Sequence, residues 1–125
     1  GTLNEGLGIL GRLGYLIVGE KALCRRLKVD PYNISLLTVV VERHEEFDDK
    51  SMILQIAGED GVADHAIVLR AGILSDSNFE YPLPMSKASL DVCSGNKCSR
   101  IAHMWSITPS NKRKWAALHD PTKAK

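Results

Sequence analysis

The chain has 125 residues, 44% of them hydrophobic and 25% charged, with a formal net charge of +1. That suits one globular domain with a modest core and excludes a disordered or collagen-like chain. No apolar run approaches the roughly 20 residues that span a bilayer, and "GTLNEGLGILGRLGYLIVG" has neither the basic flank nor the clustered apolar stretch of a secretory signal, so no membrane is expected.

Leu3, Leu7, Leu10 and Leu13 recur at helical spacing and predict a helix over 3–14, ending at Gly14. Gly6, Gly8 and Gly11 spell G-x-G-x-x-G, but a dinucleotide site needs a strand before that motif, so the reading is a glycine-rich helix packed closely on a neighbour. "YLIVG" at 15–19 has the β-branched character of a strand, and "EKALCRRLKV" puts Ala22, Leu23 and Leu27 on one helical stripe that Asp30-Pro31 breaks. "NISLLTVVVERHEE" stays open between helix and strand: Asn33 suits a helix cap, whereas Thr38 to Val41 are strongly β-branched. The carboxylates of "ERHEEFDDK" read as a solvated loop in preference to a magnesium site.

From residue 51 the period becomes that of a sheet. "SMILQIAG" and "DHAIVLR" are short apolar runs separated by the turn-rich "GEDGVA", "GILSD" makes a third strand, and "FEYPLP" leaves the sheet because prolines cannot donate ladder bonds. Ser86 is placed to cap a helix running through Leu90 to Cys93, with Gly95 as its stop. "RIAHMWSIT" alternates Ile101, His103, Trp105 and Ile107 as a last strand, ended by Pro109. The fold class expected is α+β: helices from the N-terminal third packed on an antiparallel sheet built mainly from 51–75 and 99–108, with one further helix near 86–94. A single domain over 1–108 is followed by a basic tail, 109–125, where Lys112, Arg113, Lys114, Lys123 and Lys125 stand against Asp120. Only Trp115 and Leu118 in that tail could bury much apolar surface, so it is expected to add little to folding.

Three cysteines, an odd number without a secretory signal, point to free thiols in a reducing intracellular setting, cytoplasmic or nuclear. Cys93 and Cys98, with His103 and His119, have poor spacing for zinc, because His103 alternates onto a strand face with Trp105. No metal or cofactor is expected. His65 opens one strand and Asp76 closes the next. A two-residue turn at Arg70-Ala71 would set His65 opposite Asp76, and one at Ala71-Gly72 would set it opposite Asn78. Either neighbour would hold one ring nitrogen and aim the other outward, as a general base requires.

The stretch "DHAIVLRAGILSDSN" resembles the His-to-Asp half of papain-like cysteine peptidases, in particular the ovarian-tumour and Ulp-like groups and relatives carried by eukaryotic transposable elements; the similarity covers roughly residues 50–95. It implies His65 as base and Asp76, or less strongly Asn78, as its orienting partner. It also implies a cysteine earlier in the chain, at a helix N-terminus after a loop rich in Gly, Asn or Gln. The only cysteine upstream of His65 is Cys24, inside "KALCRRL", apparently mid-helix, where no free N–H groups lower its pKa, although Arg25 and Arg26 are close in sequence; a buried structural thiol is the better reading. The expectation is a papain-like cysteine-peptidase-type domain, incomplete or inactive in this chain, that binds a polypeptide such as a ubiquitin-like protein. The alternative is a non-enzymatic interaction module for protein or nucleic acid, the latter through the basic tail, in which His65 and Asp76 merely fasten a hairpin.

Overall fold

The structure, a computed structural model, describes residues 3–109. The tail from Ser110 onward, with its basic cluster, Trp115, Leu118 and His119, lies outside the described residues. The first helix, α1 (Leu3–Arg12), stops ahead of Gly14, whose φ of +93° is a left-handed turn that glycine adopts without strain. Gly6, Gly8 and Gly11 fall inside this helix, and a Cβ at Gly6 or Gly11 would meet nothing within 4 Å. The close helix packing expected of them is therefore not what these two glycines provide.

Strand β1 (Tyr15–Gly19) leads directly into α2 (Glu20–Leu27). That helix ends on Lys28 in the left-handed region, with the Val29 N–H donating to the Cys24 carbonyl at 3.0 Å. The ambiguous segment is a helix, α3 (Leu36–Arg43). Its cap is Ser35, two residues later than Asn33, with Ser35 Oγ accepting from the Thr38 N–H at 3.1 Å. The β-branched run is overruled by packing, because Val39 and Val40 are both buried against the core. The acidic run that follows is a 3-10 turn, His44–Phe47, which pins Phe47 into the core while Arg43 pairs with Glu46 outside.

Strands β2 (Ser51–Ala57), β3 (His65–Arg70), β4 (Ile73–Ser75), β5 (Leu83–Pro84) and β6 (Arg100–Pro109) complete a six-stranded antiparallel sheet in the order β1-β6-β2-β3-β4-β5. Between β5 and β6 runs α4 (Lys87–Cys93), capped as expected by Ser86, whose Oγ accepts from the Ser89 N–H at 3.0 Å. The fold is thus α+β. Two expectations are corrected. "FEYPLP" does not leave the sheet entirely, since Leu83–Pro84 pairs with β4 at the sheet edge, the place where a missing N–H costs nothing. Nor does β6 keep one alternation throughout. Its register against β2 steps from Gln55↔His103 to Ile56↔Ile101, a bulge that turns Ile101 into the core while His103, Trp105 and Ile107 stay on the other face.

The core lies on one face of the sheet: Met52, Leu54 and Ile56 of β2, Ile67 and Leu69 of β3, Leu74 of β4 and Ile101 and Met104 of β6, met by Leu23 and Leu27 of α2, Val39 and Val40 of α3 and Leu90 of α4. On the opposite face α1 contributes Leu10 to a cleft with Ile53, Val68 and Ile107, and Leu3 and Asn4 to another with Gln55, His103 and Trp105. No helix among the described residues is long and apolar enough to cross a membrane.

Candidate functional site

The β3–β4 hairpin turns on Ala71 and Gly72, with φ of +49° and +78°. Positive φ at both central residues is what a two-residue type I′ hairpin turn needs. The resulting register pairs Arg70 with Ile73 and Val68 with Ser75, and its continuation would set His65 opposite Asn78. The ladder stops at Ser75, however, and the chain folds into a tight turn at Asp76. Asp76 Oδ1 accepts from the Asn78 N–H at 3.0 Å, and the Asp76 carbonyl accepts from the Phe79 N–H at 3.0 Å. This turn carries the carboxylate back across the hairpin, so that Asp76 Oδ2 lies 2.8 Å from His65 Nε2. Asp76, not Asn78, is the partner of His65.

The Asp76 side chain is 2% exposed and that of His65 25% exposed. A carboxylate so enclosed stays ionised only if donors converge on it. Burial works to raise its pKa, but the Asn78 N–H, the His65 ring and the Cys93 thiol together outweigh that effect and hold the group below the usual aspartate range. With Nε2 occupied by Asp76, the His65 Nδ1 has no hydrogen bond from any described residue, and the ring borders an open cleft of about 520 Å³. The cleft is lined by Asp64, Asn78 and Phe79 and by Val92, Cys93, Ser94 and Gly95 at the end of α4. Gly58 also lines it. A Cβ there would stand 2.9 Å from the Ser94 carbonyl, so only glycine lets β2 and the end of α4 approach this closely.

Cys24 is not part of this site. It is fully buried in α2 among core residues, it does not border the cleft, and burial with the Glu20 charge pushes its thiol up. A nucleophile needs the opposite environment. The cysteine that does border the cleft is Cys93, for which the sequence suggested only a weak metal role. Burial and the nearby Asp76 charge push its thiol up to about 11. Cys98 is buried with its thiol directed to the Arg100 carbonyl at 3.5 Å. Cys93, Cys98 and His103 do not converge, and no group of three metal-ligating side chains occurs among the described residues, the carboxylates around Glu45 included.

Sequence reasoning found His65 and Asp76 from the placement of two polar residues at strand ends. It missed Cys93 as a neighbour of Asp76, because only the docking of α4 on the hairpin brings the two together, and no local pattern reports that docking. It likewise missed a second histidine–carboxylate pair on the far side of the sheet, where His103 Nδ1 lies 2.9 Å from Glu20 Oε1 and its ring stacks on Trp105 at 5.5 Å. Comparison of the chain with protein-family models, with curated proteins and with solved structures found no match.

Proposed function

We propose that the described domain carries the base half of a papain-like cysteine-peptidase site, inactive by itself, and that its cleft receives a polypeptide. The observation that carries this reading is the disposition of His65: Nε2 fixed at 2.8 Å from a buried carboxylate, Nδ1 without a hydrogen bond from any described residue, and the ring at the edge of an open cleft. A histidine oriented in this way can accept a proton through Nδ1 and return it, with Asp76 stabilising the imidazolium that forms in between. The chain's own thiols do not complete the chemistry, since Cys24 is enclosed in the core and the thiol of Cys93 is pushed up, away from the thiolate, by burial and the Asp76 charge. Hydrolysis of an amide therefore requires a thiolate brought to Nδ1 by another segment or another chain, and without it the domain is a polypeptide-binding pseudoenzyme.

The cleft chemistry agrees with a polypeptide ligand. Phe79 and Val92 are exposed apolar side chains in its lining, and Asn78 and the Ser94-Gly95 backbone supply polar groups there. The test is an NMR titration of the isotope-labelled chain with ubiquitin and, separately, with casein as an unfolded polypeptide. Shift changes are expected at Asp64, Asn78, Phe79, Val92 and Gly95 with at least one of the two, and they should vanish in Phe79→Asp. If neither polypeptide perturbs the cleft at millimolar concentration, the reading is wrong.

A further inference from the structure

We propose that the cleft at His103 and Trp105, on the far face of the sheet, is a second binding site, and that it takes a guanidinium group, the head of an arginine side chain. Its lining is Leu3 and Asn4 of α1, Gln55 of β2 and His103 and Trp105 of β6, around about 420 Å³. The sheet register assembles it. His103 and Trp105 are two apart on β6 and so project from one face, and Gln55 lies directly across from His103 on β2. On the other side of β6, Trp105 pairs with Gly19, which has no side chain to lay against the indole. The two rings stack with centroids 5.5 Å apart and planes 28° apart, and the His103 side chain is 52% exposed.

Charge and hydrogen bonding select the ligand. Glu20, the first residue of α2, sets its Oε1 2.9 Å from His103 Nδ1. An ionised carboxylate only accepts, so a neutral His103 donates through Nδ1 and its Nε2 becomes an acceptor. Nε2 meets no hydrogen-bond donor among the described residues. One N–H of the Gln55 amide donates to the Ala63 carbonyl at 2.7 Å, which fixes that amide, and its Oε1 accepts from no described residue. No Lys or Arg stands in the lining to offset Glu20. A carboxylate behind two acceptor atoms, beside stacked rings, favours a flat cation rich in donors. Guanidinium has N–H donors all round its plane and no acceptor, and it stacks on an indole. A sugar or a nucleobase would leave the carboxylate charge unmatched. A metal ion would find one ring nitrogen and little else, since no three metal-ligating side chains gather among the described residues.

The test is an NMR titration of the isotope-labelled full chain with acetyl-arginine methylamide. Its citrulline analogue, which has the same shape but no charge and an added acceptor, is the comparison. The Trp105 indole and the Asn4 and Gln55 side-chain amides should shift with a millimolar midpoint for the arginine ligand, and the citrulline analogue should bind about tenfold more weakly. None of these residues lines the His65 cleft, so the outcome is independent of whether that cleft receives a polypeptide. In Glu20→Gln the charge is gone and the new amide can donate to Nδ1, which moves the ring proton to Nε2. Affinity for the arginine ligand should then fall about tenfold, and long-range ¹⁵N–¹H correlation of His103 should show the Nε2–H form. An equal response to the citrulline analogue, a stronger one to methyl glucoside, or no shift at about 50 mM arginine ligand would each overturn the assignment. The comparison of ligands uses the native chain, so it decides even if Glu20→Gln fails to fold.

Discussion

Asp76 carries two duties on one carboxylate. Oδ1 closes the turn after β4, and Oδ2 orients His65, so substitutions separate the two roles only in part. Asp76→Ala removes the acceptor for the His65 ring and the Asn78 N–H and should cost about 1–3 kcal/mol, the usual penalty for buried polar groups left without partners. Asp76→Asn retains an oxygen and should cost less. The pH dependence follows from the lowered Asp76 pKa: a carboxyl depressed in the folded state contributes stability that is complete above its unfolded value, about 3.9, and is lost as the pH falls through the lower folded one. Urea unfolding of the native and Asp76→Asn proteins from pH 3 to 7 should therefore show a gap that is constant above about pH 5 and narrows below about pH 4. A gap that stays constant down to pH 3 would mean the carboxylate is not held ionised by its donors.

At the scale of elements, the hairpin and α4 together position the site, and each has one residue whose replacement should be felt. Ala71 sits at φ +49°, where an L-residue with a Cβ pays roughly 1 kcal/mol and asparagine pays less. Ala71→Asn should accordingly stabilise the domain by about 0.5 kcal/mol in denaturant unfolding, with the His65–Asp76 pair undisturbed. Ser86→Ala removes the α4 cap and should cost about 1 kcal/mol, while also speeding alkylation of Cys93 as the helix frays. These elements were unequally legible in the sequence. Ser86, Gly72 and the alternation of β2 and β3 carry short-range signals, and each lies where those signals put it. Thr38 to Val41 misled because propensity is local while the burial of Val39 and Val40 is not. The β6 bulge was invisible for a related reason: Ile101, His103, Trp105 and Ile107 alternate perfectly in sequence, and only pairing with β2 shows that Ile101 faces the other way. The site was half legible. His65 and Asp76 could be paired from strand ends, but the choice of Asp76 over Asn78 depended on where β4 stops, and Cys93 depended on tertiary docking.

Across the whole molecule the described sheet has two edges of different character. On one side β5 is two residues long and ends in Pro84, preceded by Pro82, so a visiting strand would find few donors and little length to pair with. On the other, β1 is five residues of "YLIVG" with no proline, and Leu16 on it is 48% exposed. The two edges differ in what they invite. Proline makes the β5 side a poor template, whereas the β1 side meets the conditions under which one folded chain nucleates ordered aggregates of others. Leu16→Lys should lengthen the lag before thioflavin-positive material appears in concentrated, agitated samples and leave the melting temperature within a few degrees of native. An identical lag would place the aggregation-prone segment elsewhere. If the lag lengthens as expected, the strand farthest in sheet order from the His65–Asp76 hairpin governs colloidal behaviour, and shelf life can be improved without touching the residues on which any chemistry depends.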